Sequence, residues 1–232
     1  MPDNPLNKLL PPSPEFFPRQ GKTALMVIDM QYFDAHPDWG IGRLAKEKGL
    51  EKEASYFFGQ VACIVPRIQQ LLSTCRQDGV EVIFVRIQAL THDCRDMSPS
   101  SWARWPRQLL TAKDSKEAQI LDELRPREDE IVISKTSSSV FNSTAIDQVL
   151  RNLGVEYLIV AGVATHACVE LSVRDASDRG YKVFVIGDAT ATFSETMQRD
   201  ALQRMNTGLM KVKSTQEMLG LISHMAGDKV RV

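Results

Sequence analysis

Tyr157-Leu158-Ile159-Val160-Ala161 is a continuous apolar run, and Gly162-Val163-Ala164-Thr165-His166-Ala167-Cys168-Val169 follows it at once. The run has the length and composition of a strand that is buried on both faces, as strands of parallel sheets are. The segment after it predicts a turn and then a helix over residues 167 to about 179. A strand that passes through a turn into a helix is the repeating unit of an α/β fold. This stretch therefore indicates the fold class and places one thiol, that of Cys168, at a strand-to-helix turn.

The same alternation of strand and helix extends in both directions from this unit. Including it, the apolar runs that we interpret as strands cover residues 24–29, 80–87, 131–135, 156–163, 182–186 and 209–213. Stripes of apolar residues at helical spacing cover residues 61–72, 145–153, 194–206 and 218–222. Six strands that alternate with helices predict a three-layer α/β/α fold, in which a six-stranded parallel sheet carries helices on both faces.

Other segments are less regular. Residues 1–20 contain six prolines and are interpreted as an extended proline-rich arm, followed by a single domain over residues 21–232. We expect residues 34–50 to be irregular because glycines interrupt any period. Pro66, inside a helical stripe, should kink that helix or start a new one. Residues 89–117 are long, polar and punctuated by tryptophan, which is typical of a binding loop or lid.

The composition restricts the class of protein. A formal net charge of -1 over 232 residues gives no basic field that would recruit nucleic acid or a membrane. Four cysteines, none in a CxxC pair, disfavour disulfide scaffolds, zinc ribbons and thioredoxin-type redox pairs. The first residues lack the pattern of a signal peptide, and no apolar stretch approaches the roughly 20 residues of a membrane helix. We therefore expect a cytoplasmic protein.

Three polar side chains each follow a predicted strand. Asp29 ends the first, Lys135 ends the third, and Cys168 follows the fourth. Because the carboxyl ends of parallel strands meet at one edge of a sheet, these side chains can converge there. A carboxylate can take a proton from a thiol, while an ammonium group and a helix N-terminus favour the thiolate. Each residue also has a structural explanation, namely packing, turn formation or a solvated side chain, and the spacing alone leaves both explanations open.

Three stretches of the chain resemble the signature segments of the isochorismatase-like cysteine hydrolases, in family order, across about residues 21 to 225. They are Val27-Ile28-Asp29-Met30-Gln31, Lys135 followed by Ser139-Val140-Phe141 and Thr144, and the segment from Gly162 to Val169. The resemblance implies the fold of that family and a catalytic triad of Asp29, Lys135 and Cys168. It also implies a cis peptide bond between Val163 and Ala164, with the N–H groups of Ala164 and Cys168 forming an oxyanion hole.

The resemblance further implies a cysteine amidohydrolase without a cofactor. Its substrate would be a small amide or N-carbamoyl (ureido) compound, its intermediate a thioester, and its assembly a homodimer or homotetramer. Two alternatives stay open. One is vinyl-ether hydrolysis of the isochorismate type, although that branch of the family lacks the cysteine. The other is a non-catalytic oligomeric binding protein that retains the fold.

A metal site is not expected. Asp34-Ala35-His36 is a D-x-H tripeptide, which the nicotinamidase branch of the family uses for a metal ion. In that branch the motif follows the second strand, whereas here it follows the first. His166 lies two residues from Cys168, and we interpret it as structural because near-neighbours on a strand-to-helix turn usually point apart.

Substrate specificity should lie in the variable segments near the strand ends. Arginine suits recognition of carboxylates, and tryptophan suits an apolar wall. The same residues would also fit a packed, partly exposed loop. The candidate substrate-binding residues are Phe33, His36, Trp39, Trp102, Arg104, Trp105 and Arg107.

Overall fold

Each apolar run that predicts a strand forms one. The computed structural model describes residues 9, 12–105 and 111–227. The strands β1 to β6 are Thr23–Ile28, Glu81–Ile87, Ile131–Lys135, Tyr157–Val163, Lys182–Ala191 and Met210–Lys213. They form one sheet in the order β3-β2-β1-β4-β5-β6, and every neighbouring pair is parallel. The predicted six-stranded parallel sheet is thereby confirmed.

Helices connect the strands and cover the sheet. The helices α1 to α9 are Tyr32–Ala35, Gly40–Glu47, Glu51–Gln77, Pro99–Arg104, Val140–Ser143, Ile146–Asn152, Glu170–Asp178, Glu195–Arg204 and Thr215–Gly227. None of the helices within the described residues has the length and apolar content that a bilayer span requires.

Alternate side chains of β1 show how the layers form. Leu25 and Val27 belong to a buried cluster with the apolar stripes of α3 and α9. Ala24, Met26 and Ile28 belong to a second cluster, on the other face, with residues of α5, α6, α7 and α8. Because successive side chains of a strand point to opposite faces, a run that is apolar at every position needs helices on both sides. The predicted three layers are therefore present.

One local expectation is wrong. Residues 34–50 are not irregular, because α1 ends and α2 forms there. A Cβ atom on Gly40 would lie 2.2 Å from Phe33 O, and one on Gly42 would lie 2.4 Å from Pro37 O. These glycines allow close packing of α2 against α1 and do not break the helix.

Of the two outcomes predicted for Pro66, the start of a new helix does not occur, since α3 is continuous through it. The proline lies on the exposed face. Buried residues on both sides of it, including Val61, Ile64 and Ile68, pack in one cluster against the sheet. This packing outweighs the hydrogen bond that proline cannot donate.

The described part of the N-terminal arm, residues 12–20, lies against the body of the same chain. The Phe16 ring packs on Phe184 of β5 with centroids 5.0 Å apart. The Ser13 hydroxyl accepts a hydrogen bond from the Gly208 N–H at 3.2 Å. This part of the arm is therefore anchored beside β5 and β6.

The strand order places a switch point between β1 and β4. From β1 the chain moves to β2 on one side, and it later returns to β4 on the other side. In open parallel sheets, ligands bind at such a point, beyond the carboxyl ends of the strands. Asp29 and the segment that carries Cys168 leave the sheet there, as the sequence predicts.

Gly162 allows β1 and β4 to approach at this edge. Its φ is +116°, and a Cβ atom would lie 2.0 Å from the carbonyl oxygen of Ile28. Both the conformation and the space therefore exclude other residues at this position.

Gly162→Ala should lower the free energy of unfolding by about 2–6 kcal/mol, because backbone strain and overpacking each cost about 1–3 kcal/mol. Gly154→Ala is the matched control, since Gly154 also has a positive φ, of +69°, but nothing within 4 Å of the added atom. It should lose about 1–2 kcal/mol, the cost of left-handed backbone alone. Urea unfolding of both variants measures the difference, and equal losses would contradict the close approach of β1 and β4.

Candidate active site

The chain turns sharply where β1 ends. Asp29 has a φ of 52°, in the left-handed region, and its N–H donates to the carbonyl of Val85 at 2.8 Å. Two residues later, the buried amide of Gln31 donates to the carbonyls of Ile87 and Glu117 and accepts from the Ile87 N–H. These bonds tie the end of β1 to the end of β2. The Asp29 carboxylate is thereby fixed at the edge of the sheet.

Lys135 brings the three predicted catalytic residues together. It is the last residue of β3, and its side chain and that of Asp29 are 0% and 1% exposed. Its ammonium nitrogen lies 2.9 Å from Asp29 Oδ2 and 3.3 Å from Cys168 Sγ. One buried cation therefore contacts a carboxylate and a thiol at the same time.

Cys168 lies in a π-helical turn over Thr165–Val169, which leads directly into α7. The carbonyl of Ala164 accepts hydrogen bonds from the N–H groups of Ala167 and Val169 and thereby closes this turn. The Val163–Ala164 peptide bond is cis, as the resemblance implies. The helical segment predicted from residue 167 thus begins as a wider turn at Thr165, which carries the thiol.

The expectation that a helix start favours a resting thiolate at Cys168 is not borne out. Burial and the charge of Asp29 raise the pKa of Cys168 above its ordinary value, and Lys135 only partly opposes them. At Lys135 burial disfavours the charge, but Asp29 and Cys168 more than offset it, so the pKa of Lys135 is raised. The resting site therefore holds an ammonium–carboxylate pair beside a protonated thiol.

A cavity opens above Cys168 and encloses about 700 Å³, with its solvent-open mouth included. The segment that follows β4 contributes Ala164, His166 and Cys168 to the lining. The other lining residues come mainly from α1, α4 and the ends of strands. Apolar and hydroxyl side chains predominate among these other lining residues, which include Phe33, Ile41, Ile87, Met97, Ser100, Ser101, Thr111, Ser138 and Phe193.

The predicted substrate-binding residues divide into three groups. Phe33, Arg104 and Trp105 line the cavity, and the Phe33 and Trp105 rings meet edge to face with centroids 5.8 Å apart. His36 and Trp39 are absent from the lining, because both rings pack on Tyr32.

The third group cannot be placed in the cavity. The side chain of Trp102 and the whole of Arg107 lie outside the described residues. Residues 89–117 were expected to form a binding loop or lid and not core, and this is only partly so. Helix α4 reaches the cavity, whereas Ala89, Cys94 and Met97 form a small buried cluster of their own.

His166 does not point away from Cys168 as expected, since both side chains line the cavity. Its Nδ1 atom contacts the Thr192 hydroxyl, and its ring packs against Phe193. Burial and then the charge of Arg104 lower the pKa of His166. A wide π-helical turn can direct the side chains of two residues at positions i and i+2 into one cavity. The neutral imidazole of His166 therefore forms part of the cavity wall.

Asp34 is a lining residue that the sequence analysis considered only as part of a metal motif. Its carboxyl group faces the catalytic residues, and its pKa is affected by Asp29 and Lys135. The only sequence signal was its position five residues after Asp29, close to one strand end. Within the described residues, no group of three or more His, Cys, Asp or Glu side chains is arranged to hold a metal ion.

Comparisons with known proteins agree with this fold. The Isochorismatase domain model matches residues 23–217. Ureidoacrylate amidohydrolase RutB of Yersinia enterocolitica is 30% identical over 192 residues, which cover 77% of this chain and 79% of that protein. A cysteine hydrolase structure from Pseudomonas syringae pv. phaseolicola has a TM-score of 0.76 at 28% identity and covers 93% of this chain and 99% of that one.

A second solved structure gives the same result. N-carbamoylsarcosine amidase from Thermoplasma acidophilum has a TM-score of 0.61 at 26% identity, with 84% of this chain and 96% of that chain covered. The predicted fold and the resemblance are thereby confirmed. From its matched domain, its strand order and these relatives, the chain belongs to the isochorismatase family.

Proposed function

We propose that this protein is a cysteine-dependent amidohydrolase that cleaves a C–N bond of a small amide or N-carbamoyl (ureido) compound through a thioester intermediate. The observation that carries the proposal is the single ammonium group of Lys135, which contacts both Asp29 and Cys168 below a small cavity. The names of two similar proteins, ureidoacrylate amidohydrolase and N-carbamoylsarcosine amidase, support the substrate class.

The first step is the attack of the thiol on the substrate carbonyl. Because burial and Asp29 raise the pKa of Cys168, the thiol does not ionise by itself near neutral pH. Asp29 therefore takes the proton as the sulfur attacks, and Lys135, 3.3 Å from the sulfur, stabilises the negative charge that forms on it. The N–H groups of Ala164 and Cys168 stabilise the oxyanion of the tetrahedral intermediate.

The second step releases the nitrogen. Asp29, now protonated, donates the proton to the leaving nitrogen, so ammonia or an amine departs as a neutral molecule. The C–N bond breaks, and the acyl group remains on Cys168 as a thioester. Water then attacks the thioester, Asp29 accepts a proton from that water, and the sulfur leaves and regains a proton. The resting pair of Asp29 and Lys135 is restored.

The cavity wall suggests how a substrate is oriented. Phe33 and Trp105 form an apolar side, against which a short carbon chain packs. Arg104 lies at the exposed end of the cavity lining, where a guanidinium group can bind a substrate carboxylate. The proposed substrate is therefore a small acid whose amide or ureido end reaches Cys168.

Replacing the nucleophile tests the proposal. Cys168→Ala should lower kcat at least about 10⁴-fold, as removal of a nucleophile does in other triads. An ammonia-release assay over ureido acids, N-carbamoyl amino acids and simple amides measures turnover, and intact-protein mass spectra should show an acyl adduct only when Cys168 is present. Cys63→Ala, at an exposed site on α3, is the control and should keep wild-type turnover. Undiminished activity of Cys168→Ala would disprove the proposal.

Removing one member of the buried ion pair should also reduce stability. Lys135→Met leaves Asp29 buried without its cation, so we expect a loss of about 3–5 kcal/mol in the free energy of unfolding at pH 7. Because the pKa of Lys135 is raised, the stabilisation by the pair is complete below the ordinary lysine pKa and decreases only at higher pH.

The double variant Asp29→Leu/Lys135→Met is the matched control. It removes both charges, so it should regain most of that stability while remaining inactive. Urea unfolding at pH 7 compares the three proteins. If Lys135→Met were as stable as the wild type, the charged pair would not exist in the resting protein.

A further inference from the structure

Two cavity-lining residues, Asp34 and Thr111, carry a buried polar atom that has no hydrogen-bond partner among the described residues and no role in the catalytic steps above, and of the two only Asp34 is ionisable. Oδ2 of Asp34, the third residue of α1, is shielded from solvent and has no hydrogen-bond partner among the described residues. A buried acceptor without a partner destabilises the folded protein. Asp34 lines the cavity above Cys168, so a molecule in the cavity can supply the missing donor.

Among the described residues that line the cavity, no cation is paired with Asp34. Lys135 lies close enough to influence its pKa, but the Lys135 ammonium is already shared by Asp29 and Cys168. Besides Cys168, the other ionisable groups in this described lining are Arg104 at the exposed end and the neutral His166. Burial, followed by the charge of Asp29, raises the pKa of Asp34. A carboxyl group keeps an accepting oxygen in either protonation state, so a donor on the ligand suits both.

Two different carboxyl groups act on the thiol. The charges of both Asp29 and Asp34 raise the pKa of Cys168, and Asp34 and Cys168 line the same cavity. Asp29 is paired with Lys135 and faces the leaving nitrogen in the proposed reaction. When the carbonyl oxygen occupies the oxyanion hole, the second substituent of the carbonyl carbon is directed away from the leaving nitrogen, and Asp34 is the carboxyl group of the cavity lining that can accept a hydrogen bond from it.

A ureido group and a carboxamide differ at this second substituent. A ureido group has nitrogen on both sides of its carbonyl carbon, whereas a carboxamide has nitrogen on one side and carbon on the other. Only the ureido group therefore presents an N–H donor to each of the two carboxyl groups. A carboxamide leaves the Asp34 oxygen unpaired in the complex.

We propose that Asp34 is a specificity-determining residue that accepts a hydrogen bond from the second nitrogen of a ureido substrate, so that the enzyme favours N-carbamoyl compounds over carboxamides of the same shape. This inference rests on the proposed function, since it assumes that Cys168 attacks the carbonyl. Failure to pair a buried polar group in a binding site lowers kcat/KM by about 10- to 100-fold, which sets the expected size of the preference.

The test compares two substrates that differ only in one group, which is N–H in the first and CH₂ in the second. The most active ureido compound from the ammonia-release assay is paired with the analogue in which CH₂ replaces its inner N–H. For N-carbamoyl-β-alanine, that analogue is glutaramate. Both release ammonia in the same assay, and the ratio of their kcat/KM values is measured for each protein. Because ratios are compared between variants, the different intrinsic reactivities of ureas and amides cancel.

Asp34→Leu should lower the ureido-to-carboxamide ratio by about 10- to 100-fold relative to the wild type, since leucine has a similar size but no acceptor. Asp34→Asn keeps a carbonyl oxygen and should lower the ratio less. Asp38→Asn is the matched control, because Asp38 is an exposed carboxylate paired with Lys46 outside the cavity. It should leave both rates unchanged.

Stability against pH gives a readout that does not depend on turnover. Because its pKa is raised, the Asp34 carboxyl group resists ionisation in the folded protein. It therefore lowers the stability of the folded protein increasingly as the pH rises above the ordinary pKa of an aspartate. Asp34→Asn should therefore melt at a higher temperature than the wild type at pH 7, with a smaller difference near pH 4. A lower melting temperature at pH 7 would mean that Asp34 has a structural partner, which contradicts the proposal.

The outcomes separate the two proposals. If Asp34→Leu folds and keeps the wild-type ratio, the role of Asp34 is wrong, while the chemistry of Cys168 stands. If Cys168→Ala retains turnover, the proposed function itself fails, and the inference fails with it. If the wild type hydrolyses carboxamides but no ureido compound, the hydrolase assignment survives and the inference is overturned.

Discussion

The contact of Lys135 with both Asp29 and Cys168 is the interaction on which the site depends. A buried ammonium group is tolerated only when opposite charge and hydrogen-bond acceptors surround it. Here the carboxylate lies 2.9 Å away and the sulfur 3.3 Å away. Because the three residues follow three different strands, β1, β3 and β4, the pair also links the carboxyl edge of the sheet. Stability and chemistry therefore use the same charges.

The sheet provides the positions that this contact needs. Gly162 lets β4 approach β1 closely, and the positive φ of Asp29 turns the chain immediately after β1. The strand order then opens a switch point above these residues, where α1 and α4 complete the wall of the cavity. The Phe33 ring of α1 meets the Trp105 ring at the end of α4 in this wall. Segments from distant parts of the chain thus surround the Cys168 sulfur.

Two carboxyl groups and one ammonium group set the electrostatic balance at Cys168. Burial beside Asp29 keeps the Cys168 thiol protonated, so it is not a free thiolate that would react with any electrophile. Asp34 adds a second carboxyl group whose Oδ2 atom has no partner among the described residues. In a site that binds polar groups of a ligand, unpaired atoms of this kind lower the stability of the free protein. Hydrogen bonds to the bound molecule then offset that loss.

The sequence by itself determined the alternation of strands and helices, because strands that are buried on both faces leave continuous apolar runs. It also predicted the triad, because Asp29, Lys135 and Cys168 lie at the ends of such runs and match family signatures. Only the tertiary structure decided which side chains enter the cavity. Asp34 and His166 do so, whereas His36 and Trp39 pack on Tyr32. The direction of a side chain in a short helix or a widened turn is set by contacts with distant segments, and local periodicity carries no information about those contacts.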